Sequence, residues 1–227
     1  CTVIECPKSL SRYENEGWED QVYVTMTSPV GPNTALICKW LIEKFSEYTA
    51  DLVSFSETEA SLANYPSNFA LLDSKALLST LEDIAYQCRC VIYKSDDTIY
   101  MKYLAKEHAS VSTLTVDEII AGSLKLQYSE TEKLTTKYVA TWKPSYQDLD
   151  LNYNLRPIRR VVLRNNIDLY GTHENVRSFW IYNIRSLVVK SAKFWLIRES
   201  NTWKRIKFET TLKALRLETH DTFTLDI

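Results

Sequence analysis

The sequence predicts an α+β fold, because helix and strand patterns occupy separate parts of the chain. Between residues 34 and 105, two amphipathic helix patterns precede a hairpin pattern. After residue 105 short alternating segments predominate, interrupted by one long helix pattern at about residues 179–198. The 227 residues are 45% hydrophobic and 25% charged, which are usual proportions for a folded protein with a buried core.

Composition argues against several common functions. Glycine occurs 4 times, and no glycine-rich loop that could hold a phosphate group can be written from these positions. No apolar run reaches the roughly 18 residues that span a bilayer, and the first residues lack a signal-peptide pattern. Since the chain does not begin with Met, we expect it to be a processed or excised piece.

The five cysteines are predicted to be buried, reduced thiols of a protein made in a cytosol. Their odd number and scattered positions do not suggest a disulfide framework. A metal site would need CxxC pairs or nearby histidines, and the sequence has neither. The cysteines are Cys1, Cys6, Cys38, Cys88 and Cys90.

A strand and an amphipathic helix are predicted near the start of the chain. The segment Gln21–Thr27 alternates and is rich in β-branched residues, as strands are. After a turn with Pro and Gly, Asn33 or Thr34 can cap a helix. Apolar residues at three- and four-residue steps predict the buried face of this helix. They are Leu36, Ile37, Trp40, Leu41, Phe45 and Tyr48.

A second helix and a hairpin complete a predicted α+β sub-domain at residues 34–105. Asp73 or Ser74 can cap the second helix, and the residues between the two helices are predicted to be a mixed connection. Strand patterns at Cys90–Tyr93 and Thr98–Leu104 flank a Ser-Asp-Asp turn, which predicts the hairpin. The apolar stripe of the second helix consists of Leu77, Leu78, Leu81, Ile84, Ala85 and Cys88.

Residues 1–33 and 106–227 are predicted to form the β-rich part of the protein, which includes the long helix. A polar segment at residues 143–157 is predicted to be an exposed loop. The strands are expected at Leu124–Tyr128, Lys137–Trp142, Ile158–Arg164, Trp203–Thr210, Leu212–Leu217 and Thr222–Ile227. The stripe of the long helix consists of Trp180, Ile181, Ile184, Leu187, Val188, Ala192, Trp195 and Leu196.

The sequence predicts no catalytic, cofactor or metal site. It contains no GxSxG elbow for a nucleophilic serine. Of the three histidines, His108 follows the hairpin, His173 lies at a turn, and His220 stands beside Asp221. Neighbours on an extended chain point to opposite faces, so Asp221 is poorly placed to orient the His220 ring. We therefore expect that the protein is not an enzyme.

Basic residues in the C-terminal part are the candidates for a partner interface. Residues 1–150 carry 13 Lys and Arg against 22 Asp and Glu, whereas residues 151–227 carry 14 against 7. Opposite charges could attract copies of the chain or an acidic partner, or neutralise each other within one molecule. Basic strands with aromatic neighbours can also track nucleic acid. The candidates are Arg156, Arg159, Arg160, Lys204, Arg205 and Lys207.

The order of elements and several phrases resemble the baseplate-hub and tail-tip proteins of bacteriophages. The phrases include QVYVTMTSPVGPN, LLSTLEDIAYQCRCVIY, VVLRNNIDLYGTHE, KSAKFWLIRESN and LETHDTFTLDI. The resemblance covers the chain from about residue 20 to its end. It rests on layout and phrases rather than on one diagnostic motif.

The resemblance implies antiparallel β-barrel-like hub domains joined to a smaller α/β insertion of helices packed on a hairpin. It implies a structural protein of the virion tail, made in the bacterial cytoplasm, that forms trimers and contacts the tail tube and the spike or fibre proteins. It implies no cofactor and no membrane partner. A nucleic-acid-binding module and a tail-associated cell-wall hydrolase remain the alternatives.

The end of the chain departs from the family at one position. The family often closes on a Gly-Asp turn before a final strand, and this chain has His220 before Asp221. A histidine can occupy a tight turn at moderate cost. The resemblance therefore implies that LETHDTFTLDI is a turn and a closing strand, with no catalytic role for His220.

Overall fold

The computed structural model describes residues 28–71, 75–106, 108–142, 158–212, 214 and 217–226. The predicted strand Gln21–Thr27, the cap at Asp73 or Ser74 and the loop at residues 143–157 lie outside these ranges. The α+β class is confirmed, since helices pack beside several small sheets. None of the helices in the described ranges combines the length and apolar character that a membrane crossing requires.

Three helices come first: α1 (Thr34–Phe45), α2 (Leu52–Ser61) and α3 (Leu77–Gln87). Asn33 caps α1 as predicted, because its Oδ1 accepts a hydrogen bond of 2.9 Å from the Ala35 N–H. The sequence predicts only a mixed connection between the helices that correspond to α1 and α3. The structure instead contains a regular helix, α2, within this connection. Asp51 caps that helix by accepting a 2.7 Å hydrogen bond from the Ser54 N–H.

The predicted buried face of α1 is largely wrong. Trp40 is 41% exposed and Phe45 is 62% exposed, and their rings pack on each other outside the core, with centroids 5.6 Å apart. Helices α2 and α3 pack against a different side of α1, which overlaps the predicted stripe only at Leu41 and is buried instead. The buried apolar residues of α1 are Ala35, Cys38, Leu41 and Ile42.

The predicted hairpin is confirmed and forms a three-stranded sheet with a short extra strand. Strand β1 (Thr49–Ala50) pairs in parallel with β3 (Thr98–Tyr103), which pairs antiparallel with β2 (Cys90–Ser95). The stripe of α3 packs on this sheet as expected for most of its length, although Leu78 is exposed. Its buried members are Leu81, Ile84, Ala85 and Cys88.

A second three-stranded sheet has the order β7–β6–β8. Strand β6 (Lys137–Trp142) lies in the centre, antiparallel to β7 (Arg159–Arg164) and parallel to β8 (Glu174–Ser178). The first two strands lie where the sequence predicts them, whereas β8 is polar and was not predicted. The four-residue helix α4 (Ile167–Tyr170) connects β7 to β8.

The long helix is shorter than predicted. Helix α5 spans Arg185–Glu199 rather than residues 179–198, and it packs against β6 and β7. The segment before it is held by bonds to other elements: the Phe179 N–H donates to the Thr141 carbonyl, and the Ile181 carbonyl accepts from the Asn68 N–H. These tertiary hydrogen bonds replace the helical ones.

One hydrophobic core connects the two three-stranded sheets. Buried residues of α1, α3 and the hairpin belong to the same cluster as those of β6, of α5 and of the turn at residues 179–182. The division of the chain at residue 105 into separate domains stays a prediction. The core is continuous across that position.

Two further sheets are two-stranded. Strand β4 (Thr113–Thr115) pairs in parallel with β10 (Thr224–Asp226), and β5 (Lys125–Tyr128) pairs antiparallel with β9 (Lys204–Lys207). The four sheets are open within the described residues, and the closed barrel implied by the resemblance stays a prediction. The prediction of a strand at Leu212–Leu217 is wrong at the described positions of this segment. The Ala214 and Leu217 N–H groups donate turn hydrogen bonds there instead.

Three of the predicted thiols lie in the described residues, and all three are buried and free. They are Cys38, Cys88 and Cys90, while Cys1 and Cys6 lie outside the described ranges. Burial raises the pKa of the Cys38 and Cys90 thiols above its ordinary value. Protonated, inaccessible thiols react slowly, which agrees with a structural role.

The turn before β10 has the geometry expected from the sequence. His220 lies at φ 68°, and the Asp221 Oδ2 accepts a 2.9 Å hydrogen bond from the Glu218 N–H. Lys102 fastens this turn to the hairpin, since its Nζ donates to the His220 carbonyl over 2.7 Å and lies 3.6 Å from Asp221 Oδ1. The closing-turn interpretation is confirmed.

This turn gives a stability prediction. We expect Asp221→Ala to cost about 0.5–2 kcal/mol, because the Glu218 N–H loses its acceptor and Lys102 loses its ion pair with the carboxylate. His220→Gly should be neutral or slightly stabilising, since glycine removes the strain of positive φ. Chemical denaturation of both variants measures these effects. An Asp221→Ala midpoint equal to that of the wild type would contradict the role of the turn.

Candidate interaction surface

The predicted interface residues are divided between two sheets. Arg159 and Arg160 begin β7, whereas Lys204, Arg205 and Lys207 lie on β9. Arg156 lies outside the described residues. The structure therefore does not join these residues into one strand pair, and their role at an interface stays a prediction.

The pairing of β9 with β5 creates a two-faced ribbon, here called the β5–β9 ribbon and comprising residues 125–128 and 204–207. Its register places Lys125 opposite Lys207, Leu126 opposite Ile206, Gln127 opposite Arg205 and Tyr128 opposite Lys204. Opposed residues share a face, and faces alternate along a strand. One face is polar and the other is mostly apolar. The polar face holds Lys125, Gln127, Arg205 and Lys207; the apolar face holds Leu126, Tyr128, Lys204 and Ile206.

None of the described residues covers the apolar face of the ribbon. All eight ribbon residues are exposed, with Leu126 at 50% and Tyr128 at 64%. Leu124 and Trp203, just beyond the paired residues, are exposed as well. Two strands alone are marginally stable in water, and a clustered apolar surface of this kind usually marks a contact site.

The polar face of the ribbon carries cations that repel one another. Lys125 and Lys207 are directly opposed, and Arg205 lies on the same face. Like charges in opposed positions destabilise a strand pair. Among the described residues, no carboxylate forms an ion pair with any of these three side chains. An acidic partner would remove the repulsion.

The ribbon is fastened to the rest of the fold at its base. The Ser129 N–H donates to the Trp203 carbonyl over 2.9 Å, and the Trp203 N–H donates to Ser129 Oγ over 2.8 Å. The Trp203 indole N–H donates to the Arg198 carbonyl in α5. Tyr128, Leu134 and Trp203 help to line an open cavity of about 710 Å³ at this base. These hydrogen bonds therefore hold the base of the ribbon to α5.

A second uncovered apolar surface lies on α1. The outward side chain of Trp40 borders a groove of about 670 Å³ together with Pro32, Ile37, Phe69 and Ile184. The groove is lined by uncharged residues. It lies on a different element from the ribbon, so the fold offers two surfaces suited to contact with other proteins.

The described histidines have structural partners. The Nε2 of His108 lies 2.6 Å from the Tyr103 carbonyl, and that of His173 lies 2.9 Å from the Tyr170 carbonyl. Burial and the charge of Lys102 lower the pKa of His220. The described part of the chain contains no cluster of three or more potential metal ligands.

Among known proteins, similarity is found to solved structures. No protein-family model matches the chain, and no curated protein matches it either. A solved structure with a similar fold is the prophage tail protein gp18 from Listeria monocytogenes EGD-e, at 14% sequence identity and a TM-score of 0.41. The alignment covers 74% of this chain and 49% of that protein, so the chain spans about half of its length.

Local patterns could have revealed the ribbon only in part. The alternation in KLQY and KRIK marks two strands, and the basic residues of β9 stand out in the sequence. That β9 pairs with β5, across more than seventy residues, is visible only in the fold. The pairing decides which side chains share a face.

Proposed function

We propose that this chain is a structural component of a bacteriophage tail, in the baseplate hub or tail tip, where it joins the tail tube to the spike or fibre complex. The observation that carries the proposal is the β5–β9 ribbon. Among the described residues, its apolar face is uncovered and its cations form no ion pair with a carboxylate. Such a surface gains stability from contact with another protein. The resemblance of the sequence to hub and tail-tip proteins supports this location in the tail.

Copies of the same chain are the first expected partners, in a trimer. The acidic balance of residues 1–150 and the basic balance of residues 151–227 provide complementary charges between copies. The apolar face of the ribbon, with Leu126 and Ile206 at its centre, would supply the hydrophobic part of the contact. The second partners are the tail tube and the spike or fibre proteins.

Self-association of the full parent protein tests this proposal. We expect Leu126→Asp together with Ile206→Asp to raise the dissociation constant about tenfold or more, because two charges would be buried at the contact. Leu169→Asp is the control, since Leu169 is 74% exposed on α4 and lies outside the ribbon. Light scattering over a range of concentrations measures the association.

Two results would contradict the proposal. One is a parent protein that stays monomeric at every concentration, both alone and mixed with neighbouring tail proteins. The other is association that the ribbon variant leaves unchanged relative to the Leu169→Asp control. Circular dichroism of each variant establishes that the fold is intact.

Nucleic acid is the second candidate partner, favoured by the polar face of the ribbon. Lys125, Arg205 and Lys207 could contact phosphates, and the neighbouring Trp203 could stack on bases. Fluorescence anisotropy with labelled single-stranded DNA distinguishes the two candidates. Binding that weakens steeply with salt and is lost in Arg205→Glu would favour nucleic acid over the structural role.

A further inference from the structure

A buried arginine lies between α3 and β2 without an anionic partner. Arg89 is 6% exposed, and its side chain lies over the Tyr65 ring, with the guanidinium carbon 4.1 Å from the ring centroid. The same carbon lies 5.3 Å from the centre of the Tyr103 ring. Within the described residues no carboxylate forms an ion pair with Arg89. Its Nε and Nη2 atoms are buried and have no hydrogen-bond partner in the part of the chain that the structure describes.

Among the described residues, three further buried polar groups have no hydrogen-bond partner within 3.5 Å, although two of them, both hydroxyl groups, lie close to each other. They are Gln87 Nε2, the Tyr182 hydroxyl and the Ser191 hydroxyl. Each belongs to a side chain that is almost fully buried. Unsatisfied buried polar atoms are rare in folded proteins, and several in one region call for a common explanation.

Hydrogen bonds and ring contacts bring these groups together from different elements. Gln87 ends α3, and its Oε1 accepts a 3.1 Å hydrogen bond from the Ile181 N–H, next to Tyr182. Ser191 lies on α5, and its hydroxyl is next to that of Tyr182. The Arg89 charge also acts on the Tyr182 hydroxyl. The groups therefore surround the place where α3, α5 and the turn at residues 179–182 meet.

The chemistry of the unsatisfied atoms is uniform, because every one of them can donate a hydrogen bond. A guanidinium and an amide NH₂ are donors only, and the two hydroxyl groups can donate as well as accept. The aromatic rings beside Arg89 stabilise its positive charge, but they leave Nε and Nη2 without acceptors. Several donors around one cation are complementary to a small oxyanion.

We propose that Arg89, with Gln87, Tyr182 and Ser191, forms a buried binding site for a small oxyanion, either phosphate or a carboxylate. Arg89 neutralises the charge of the anion, and the amide and hydroxyl groups supply the remaining hydrogen bonds. The bound anion would stabilise the junction of α3 with α5, because it would pair a charge that is otherwise buried alone. This role is independent of the β5–β9 ribbon.

Thermal unfolding in different salts tests the site. The wild type is compared in chloride, acetate and inorganic phosphate buffers of equal pH and ionic strength. At about ten times the dissociation constant of the anion, we expect the unfolding midpoint to rise by roughly 3 °C or more relative to chloride. A rise in phosphate alone assigns the site to phosphate, and a rise in acetate assigns it to a carboxylate.

Arg89→Met is the decisive variant, because it removes the charge and keeps much of the side-chain volume. It should abolish the anion-dependent rise, and in chloride it should be as stable as the wild type or more stable. Arg177→Met is the matched control. Arg177 also lies over a tyrosine ring, that of Tyr86 at 5.6 Å, but it is exposed and should leave the rise intact.

Ser191→Ala keeps the test decisive if Arg89→Met fails to fold. This change removes one donor with little loss of volume and should weaken phosphate binding several-fold in isothermal titration calorimetry. The proposal is wrong if neither anion raises the wild-type midpoint. It is also wrong if Arg89→Met, or Ser191→Ala in its place, responds to the anions as the wild type does.

Discussion

Replacement of Phe179 by alanine should lower the free energy of unfolding by about 3–5 kcal/mol. Phe179 is fully buried where β8 meets the turn before α5, and its ring centre lies 6.3 Å from that of Tyr138 in β6. The truncation would leave a cavity in the core that the two three-stranded sheets share. Because domains are stable by about 5–15 kcal/mol, a large part of the stability would be lost.

The matched control is Phe45→Ala, which removes the same side chain from the outer face of α1. Phe45 contacts Trp40 outside the core, so we expect a loss of about 1 kcal/mol or less. Chemical denaturation of both variants gives the two values. Equal losses would mean that Phe179 lies on an exposed surface, as it would on the outer side of a helix that began at residue 179.

Replacement of Ile42 by alanine is expected to cost about 2–5 kcal/mol, although the sequence pattern placed this residue outside the buried stripe. Ile42 is fully buried on the side of α1 that packs against α2 and α3. Trp40 belongs to the predicted stripe but lies toward solvent. Trp40→Ala should therefore destabilise the monomer less than Ile42→Ala does, despite the larger side chain that it removes.

The order of these two losses, measured by chemical denaturation, decides which face of α1 is buried. If Trp40→Ala costs more than Ile42→Ala, the stripe predicted from the sequence is the buried one and the packing described above is wrong. The Phe45→Ala variant provides a third point on the same face as Trp40. It should follow Trp40→Ala rather than Ile42→Ala.

Elements with a strong local pattern were predictable. Strand β6 has the bounds expected from its alternation, and the hairpin follows from two β-rich segments around adjacent aspartates. Helix α2 and strand β8 were not predicted because both are polar, and their place depends on a cap at Asp51 and on pairing with β6. Neither the cap nor the strand pairing produces a hydrophobic periodicity in the sequence.

The buried face of α1 was not predictable from periodicity, because apolar residues occur on both of its faces. Leu36 and Trp40 form one stripe, and Cys38 and Ile42 form another with the same spacing. Periodicity selects a face only where the opposite face is polar. Which of the two stripes is buried depends on the packing of α2 and α3 against α1.

Only some residues of the candidate sites could be recognised from the sequence. The basic residues of β9 are evident in the sequence, but their apolar and basic partners on β5 depend on a register between distant segments. Arg89, between two cysteines, has no local feature that distinguishes it from an exposed arginine. Its burial results from tertiary packing around Tyr65 and Tyr103.

The parallel pairing of β4 with β10 has a consequence for the order in which the chain folds. Thr113 pairs with Thr224, more than one hundred positions later, and Leu114 between the paired threonines of β4 is buried. Contacts between such distant positions form slowly, because a long loop must close before they contribute any stability. During synthesis β4 leaves the ribosome long before β10 exists. Until then β4 lacks its strand partner and Leu114 lacks the cover that β10 gives it, a state in which aggregation or chaperone binding competes with folding.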